Sequence, residues 1–463
     1  MFDEDTIAAI STPMGEGGIG IVRLSGKDSL RIAEKIFFSP GEKAFQDRES
    51  HKVIYGHVHD PVSGKTVDEV LLTIMRAPRS YTREDVVEMN CHGGMLPLRK
   101  TLELVLAQGA RLAEPGEFTK RAFMNGRIDL SQAEAVLDLI RSRTDESRKI
   151  AIEQLKGGLS AEITALRDGL TDICANIEAY IDFPEDEIET ASKKELSESM
   201  KNVSGKLLSL LKTYEDARFF REGLSTAIVG RPNVGKSSLL NALIRKDRAI
   251  VTEMPGTTRD VIEEYLNIGG LPLRIMDTAG IRDSSDAAEK EGVARSLRSI
   301  ETADLVIAIF DRSEQLTSED FEVIEKIRNK KRILVLNKCD LPPAFGDDEI
   351  VARLAPSSSR VLSISATRGD GLQELKESIF SSCLKDWKEE REGVVVTNVR
   401  HKHAIEAAQK SLDNALKALE GNQPIEIIAM ELRDSLDKLG EIVGAVTTED
   451  ILNKIFNDFC IGK

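Results

Sequence analysis

The chain has 463 residues, a formal net charge of −15, 41% hydrophobic and 30% charged residues. This leaves room for two to four domains with cores of their own and excludes a mainly disordered chain. Charge counted over residues 1–120, 121–220, 221–390 and 391–463 is −3, −5, −4 and −3, so no segment is the basic module expected of a protein that grips nucleic acid by its phosphates.

In chain order, the opening Met1-Phe2-Asp3-Glu4-Asp5 lacks the basic-then-apolar pattern of a secretion signal. The first ~118 residues read as mixed α and β. Strands are predicted at Ile19–Leu24, Lys52–Val58 and Val67–Met75, and helices at Ser29–Phe38 and Leu96–Gln108. From Pro115 to Phe220 strand patterns give way to helical ones, Ser131–Arg141 and Ile152–Ile181, and Pro184 in an acidic run stops the second. Between Ser225 and about Phe380, apolar runs at Thr226–Val229, Arg274–Met276, Leu305–Phe310, Ile333–Leu336 and Val361–Ile364 alternate with helices, which predicts a doubly wound α/β unit. After about Lys385 the chain is helical again. The α/β unit is thus expected as an insertion into one helical domain built from both flanks. No run approaches the ~20 apolar residues that span a bilayer. Five scattered cysteines (Cys91, Cys174, Cys339, Cys383, Cys460) without a CxxC pair argue for a reducing, cytoplasmic setting and against a disulfide framework or a zinc site.

Chemistry concentrates in the α/β unit. Gly230-Arg231-Pro232-Asn233-Val234-Gly235-Lys236-Ser237 follows an apolar strand and opens a helix at Ser238, the context a phosphate-binding loop requires. Its glycines let backbone N–H groups face phosphates, and the helix N-terminus adds positive potential. Lys236 is expected to reach the β- and γ-phosphates and Ser237 to bind Mg²⁺. Asp277-Thr278-Ala279-Gly280 follows the next strand, where Asp277 can hold Mg²⁺ through water and the Gly280 N–H can sense the γ-phosphate. Asn337-Lys338-Cys339-Asp340 follows another. Asp340 is acceptor-only, so it suits the N1–H and N2–H₂ donors of guanine and leaves adenine unmatched. Ser365-Ala366, with Thr367 after it, places a backbone N–H near guanine O6. Four motifs in order, each at a strand end, specify GTP. Thr258, in Pro255-Gly256-Thr257-Thr258-Arg259-Asp260, is expected to close over Mg²⁺ and the γ-phosphate in a two-state loop. The residue after the Asp277–Gly280 motif is Ile281, which cannot orient a water as the Gln of Ras-like GTPases does. Asp283, Asp286, Glu289 and Glu291 follow, and the sequence does not choose among them as the acid/base group.

Outside the nucleotide motifs the chain carries the segments Pro13–Arg23, Tyr81–Glu88 with Cys91-His92-Gly93-Gly94, and Pro115–Phe123, and the ending Phe459-Cys460-Ile461-Gly462-Lys463. With the GTPase motifs, these make the whole chain closely resemble the MnmE/TrmE family of tRNA-modification GTPases. The resemblance implies a multidomain fold: an α+β N-terminal folate-binding and dimerisation domain (1–118), a discontinuous all-α helical domain (119–219 and 383–463), and an inserted Ras-like α/β P-loop G domain (220–382). It implies a homodimer that adds a carboxymethylaminomethyl or aminomethyl group to carbon 5 of the wobble uridine in certain tRNAs. The partner is the flavoprotein MnmG (GidA), which brings FAD and NADH, and the one-carbon unit comes from a tetrahydrofolate derivative (5,10-methylene or 5-formyl).

The resemblance also implies how the missing Gln and arginine finger are replaced. G domains pair across the nucleotides, and K⁺ supplies the charge, held by Asn233, Thr252, Met254 (through its backbone) and Thr257; Glu289 orients the water. A monovalent cation in a dry site would stabilise charge developing on the phosphates. The family's folate contacts fall on Arg23, Glu88, Arg127 and Lys463, with Arg127 standing where some relatives have lysine. Its functional cysteine falls on Cys460, whose thiol could act as nucleophile or general acid. An Era-like ribosome-associated GTPase switch is the alternative, but it would carry a basic RNA-binding module, which this chain lacks. A folate-binding protein using GTP only for stability is a third reading, opposed by Asn233 and Thr258.

Overall fold

A computed structural model describes residues 5–40, 45, 48–182, 192–247, 264–276, 299–345, 360–384 and 393–463. These fall into two units, residues up to 137 with 437–463, and residues 138–436.

The first unit is built on a sheet of order β3-β4-β5-β6-β2-β1-β7. Its strands are β1 (Ile7–Ile10), β2 (Gly17–Ser25), β3 (Phe37–Phe38), β4 (Val53–His59), β5 (Thr66–Met75), β6 (Val86–Gly93) and β7 (Arg111–Leu112). The pairing is antiparallel except where β1 meets β7. Side chains alternate across a strand, so Asp68, Val70, Leu72 and Ile74 of β5 point inward, as do Val87, Met89 and Cys91 of β6. They share a core with Ile32 and Ile36 of α1 (Ser29–Ile36) and Leu98 and Val105 of α2 (Met95–Ala107). Arg23 of β2 stands directly opposite Glu88 of β6 in this register. In the same unit, α3 is Glu117–Met124 and α4 begins at Leu130 and runs to Arg141. Leu130, Ala133 and Leu137 pack against Leu452 and Phe456 of α13 (Glu449–Asn457) and against Phe459. The beginning and end of the chain are therefore one body.

The second unit contains long helices, α5 (Asp145–Leu155), α6 (Gly158–Asp182), α7 (Lys193–Glu222) and α11 (Val399–Glu420), and most of α12 (Ile425–Val443). The single helical stretch expected over Ile152–Ile181 is two helices, because Gly157 at φ 92° ends the first. Between α7 and α11 lies a sheet of order β13-β12-β11-β8-β10-β9. Its strands are β8 (Leu224–Val229), β9 (Glu264–Ile268), β10 (Leu271–Ile275), β11 (Leu305–Asp311), β12 (Arg332–Asn337) and β13 (Arg360–Ser363). All neighbours are parallel except β9 on β10. β8 and β11 are buried along their whole length, as central parallel strands covered on both faces must be. The helices α8 (Lys236–Asp247), α9 (Ser318–Lys326) and α10 (Leu372–Cys383) follow β8, β11 and β13, so the strand-to-helix loops gather at the carboxyl ends of the strands, where such sheets bind ligands.

Candidate functional site

The loop from β8 to α8 has two glycines that admit no side chain. A Cβ on Gly230 (φ 152°) would lie 2.4 Å from the Ile309 carbonyl oxygen, and one on Gly235 (φ 100°) would lie 2.1 Å from Asn337 Nδ2. Asn233 takes the left-handed conformation at φ 65°, which asparagine tolerates better than most residues. Its side chain and that of Ser237 are exposed. Lys236 Nζ donates to the Gly230 and Arg231 carbonyls at 2.7 and 2.8 Å, so it lies across the loop it serves. Burial holds the Lys236 ammonium below its usual value, which favours exchange of neutral carbonyls for anionic phosphate oxygens.

Asn337 ends β12 and is 3% exposed. Its Nδ2 donates to the Val234 carbonyl at 2.8 Å, and its Oδ1 accepts from the Ala366 N–H at 3.0 Å. One amide thereby fastens the phosphate loop to the Ser365–Thr367 loop. Val234 is itself fully buried. Next in sequence, Lys338 is left-handed (φ 64°) and its Nζ meets Asp311 Oδ2 at 2.5 Å. Burial alone would raise the Asp311 carboxyl; its bonds to Lys338 and Ser313 outweigh that and hold it low. Cys339 N–H donates to the Ile364 carbonyl at 3.1 Å, which sets Asp340 beside the Ser365 loop. A hydrogen bond from Ser365 keeps the half-buried Asp340 carboxyl low, and Arg368 Nε lies 3.9 Å away. Ser365 Oγ also lies 3.1 Å from Thr367 Oγ1.

The structure thus brings Asn233, Val234, Gly235, Lys236, Ser237 and Ser238 together with Asn337, Lys338, Asp340, Ser365, Ala366 and Thr367 at one end of the sheet. Of the Ser365-Ala366 pair expected to place a backbone N–H near guanine O6, the Ala366 N–H donates to Asn337 and the Ser365 N–H donates to the Asp370 carbonyl at 3.0 Å. Thr252, Met254, Thr257, Thr258, Asp277, Thr278, Ala279, Gly280 and Glu289 lie outside the described residues. Sequence reasoning missed two supports. Asp311 was signalled only by its place at the end of a buried strand. Arg231 is pinned by Glu314 (2.5 Å) and by Asp320 (3.3 Å), which also holds the start of α9.

In the first unit, Arg23 Nε donates to Glu88 Oε1 at 2.8 Å, and its Nη1 donates to the Gly462 carbonyl at 3.3 Å. The Arg23 guanidinium lies 5.6 Å from the Phe118 ring centroid. The tail 460–463 is docked by main-chain bonds: Gly116 N–H to the Cys460 carbonyl (3.4 Å) and Phe118 N–H to the Lys463 carbonyl (3.2 Å). Cys460 is exposed, whereas Cys91, Cys174 and Cys383 are buried, and burial pushes the Cys91 and Cys174 thiols up to about 11. Arg127 stacks over Tyr81 at 4.7 Å and donates to the Tyr81 carbonyl at 2.8 Å. The Tyr81 hydroxyl lies 3.0 Å from Thr119 Oγ1, next to Phe118, and the ring packs with the Phe118 cluster. Arg23, Glu88 and the tail are therefore one site, and Tyr81 connects it to Arg127. The donor set suits a ligand with N–H donors at one end and carboxylates at the other: Glu88 accepts, Arg127 and Arg23 donate.

A family model described as the MnmE helical domain matches residues 130–460, and one described as the GTP-binding protein TrmE N-terminus matches residues 6–127. The tRNA modification GTPase MnmE of Alkaliphilus oremlandii is 47% identical over 463 residues, 100% of both chains, and that of Clostridioides difficile is 48% identical over the same span. That of Bacillus velezensis is 46% identical over 460 residues, 99% of this chain and 100% of its own. A solved Aquifex aeolicus Era is 28% identical over 40% of this chain and 65% of its own, with a TM-score of 0.26, too low to carry weight.

Proposed function

The chain belongs to the MnmE family of tRNA modification GTPases, and from that premise we propose how it works. It is the GTP-hydrolysing component of a cytoplasmic complex that adds a carboxymethylaminomethyl or aminomethyl group to carbon 5 of the wobble uridine in certain tRNAs. The single observation that carries the GTPase half is the Asn337 bridge, which makes the phosphate-binding and base-binding loops one preformed site. Lys236 leaves the Gly230 and Arg231 carbonyls for the β- and γ-phosphates, and the loop N–H groups take the remaining oxygens. Asp340 accepts from guanine N1–H and N2–H₂. Mg²⁺, held by the Ser237 hydroxyl with Thr258, and K⁺, held by Asn233 with Thr252, Met254 and Thr257, would neutralise charge on the phosphates. Exposure of Ser237 and Asn233 beside the loop fits hard-cation binding, and Glu289 is the residue for the attacking water.

The same reading divides the chain into an N-terminal folate-binding and dimerising domain (1–118), a helical domain (119–219 and 383–463) and a G domain (220–382). Glu88 accepts from the pterin, Arg23, Arg127 and Lys463 meet the anionic end, and a tetrahydrofolate bound there would supply the one-carbon unit. The docked tail presents the Cys460 thiol beside that site. FAD and NADH belong to the MnmG partner. No helix among the described residues is long and apolar enough to cross a membrane. The deciding experiment is mass spectrometry of tRNA nucleosides from cells lacking the protein: wobble uridines without the carbon-5 substituent are expected, and unchanged ones refute the assignment. GTP turnover faster in K⁺ than in Na⁺ is expected of the cation site; equal turnover would remove K⁺ from the mechanism.

A further inference from the structure

Beside Arg127 the first unit has a cavity of about 600 Å³, within the roughly 300–1,000 Å³ range of small-molecule sites. Its walls include Arg79, Arg83, Arg127, His51, Ser80 and Tyr81. No aspartate or glutamate lines it, and no described carboxylate pairs with any of the three arginines. In a chain of net charge −15 this concentration of like charge has no described carboxylate to offset it. Three unneutralised guanidiniums repel one another and weaken the folded state.

Two of them are nevertheless held firmly in place. Arg127 is stacked on the Tyr81 ring and hydrogen-bonded to its carbonyl. Arg83 sits at φ 61°, a conformation uncommon for a residue with a side chain, and its Nη1 donates to the Asn125 carbonyl at 3.0 Å. Each keeps most of its five donors for something else. Held cations at a concave wall, with no acid among them, are an anion site with capacity for more than one carboxylate.

We infer that this cavity binds the oligo-γ-glutamyl tail of a tetrahydrofolate, with Arg79 and Arg83 taking the carboxylates beyond the first glutamate. The inference rests on the folate reading above and extends it. Tyr81 joins the two places: its ring carries Arg127 on the cavity side, and its hydroxyl end meets Thr119 beside the Phe118 ring under Arg23. A ligand whose pterin meets Glu88 and whose first glutamate meets Arg127 would continue into this cavity. Each further γ-linked glutamate turns one carboxylate into an amide and adds two, so each adds one negative charge. A small, open patch of exposed cations in an acidic segment suits a short flexible polyanion better than an RNA strand, whose phosphates would extend over acidic surface.

The test is calorimetric titration of the full chain with 5-formyltetrahydrofolate carrying one or five glutamates. At low salt the pentaglutamate should bind about ten- to a hundredfold tighter, and the advantage should shrink as salt rises. In Arg79→Ala with Arg83→Ala the advantage should disappear, so that the two ligands bind alike. Arg79→Ala alone, which leaves the Arg83 bond to Asn125 in place, should lose part of it and guards against a folding defect. Equal affinity of the two ligands for the unaltered protein overturns the tail site and leaves the folate reading standing. Binding of neither overturns the folate reading itself. Displacement of the pentaglutamate by a short RNA, but not by free penta-γ-glutamate, would assign the cavity to RNA phosphates and overturn the inference.

Discussion

Removing the Asn337 side chain should separate the two halves of the nucleotide site. In Asn337→Ala the Val234 carbonyl loses its donor at 2.8 Å and the Ala366 N–H loses its acceptor at 3.0 Å. Asn337 and Val234 are almost wholly buried, and Ala366 is 7% exposed. A buried polar group left without a partner costs about 1–3 kcal/mol. Two such groups give a gross loss of about 2–4 kcal/mol once some water enters the space left by the amide. GTP needs both loops in register, so the loss falls on binding. At 1.4 kcal/mol per decade, affinity should drop by about thirty- to a thousandfold. Asn337→Asp keeps an oxygen for Ala366 but turns an acceptor toward the Val234 carbonyl, so it should lose at least as much. Fluorescent-nucleotide titration measures the affinity, and urea unfolding shows whether the fold has absorbed the cost instead. Binding within threefold of the unaltered protein, with an unchanged unfolding transition, would refute the bridge.

Three further substitutions probe other parts of the chain. Asp340→Asn replaces an acceptor-only group with one that can donate, so GTP affinity should fall by about a hundredfold or more while xanthosine triphosphate gains; a nucleotide competition assay in which GTP still wins would contradict the guanine assignment. His92 Nδ1 lies 2.6 Å from Asp68 Oδ1, and that hydrogen bond raises the imidazole above its usual value. The pair therefore stabilises the fold fully below pH about 6.5 and loses its contribution as pH rises through the raised folded value. NMR titration should place the His92 midpoint above 6.5 and return it toward 6.5 in Asp68→Asn; an unmoved midpoint would discount the pair. Gly462 sits at φ 94°, and a Cβ there would lie 2.4 Å from the Ile10 carbonyl oxygen. Gly462→Ala should cost the docked tail about 1–3 kcal/mol, which hydrogen exchange would report as about five- to 150-fold faster exchange at the Gly116 and Phe118 amides. Unchanged protection there would mean the tail does not hold them.

The strands that carry the nucleotide loops were legible because they are buried on both faces. Leu305–Phe310 and Ile333–Leu336 read as continuous apolar runs, and the structure extends each by a residue or two. Ile7–Ile10, Val86–Gly93, Arg111–Leu112 and Glu264–Ile268 escaped, and two of them show different reasons. Glu264–Ile268 is an edge strand paired only on one side, so its pattern is weak. Val86–Gly93 mixes Glu, Asn, Cys and His into its alternation, which hides the inward set Val87, Met89 and Cys91. Phe37–Phe38, expected as the end of a helix, is pulled into strand pairing with β4. At the sites, residue types were legible but meetings were not. Arg23 and Glu88 are 65 positions apart and meet only through strand register. Asn337 reaches Val234 across 103 positions and Ala366 across 29. Nothing local in the sequence encodes those distances.

The net charge of −15 takes on a more specific meaning in the structure. Many arginines that could serve a polyanion are already committed to carboxylates. Arg111 and Arg121 lie among Asp5, Glu84 and Glu117, Arg218 pairs with Asp304, and Arg231 pairs with Glu314 and Asp320. In these pairs the guanidinium charge is neutralised in place. Arg79, Arg83 and Arg127, with which no described carboxylate pairs, gather in one cavity beside Tyr81. Anion recognition by this chain is therefore local: a triphosphate at the end of a parallel sheet and a short polyanion beside Tyr81. A tRNA presents phosphates over tens of ångströms, and its binding energy scales with the number of them neutralised. With a net charge of −15 and no basic segment, the surface that meets that demand is, on the function proposed above, expected on a partner protein.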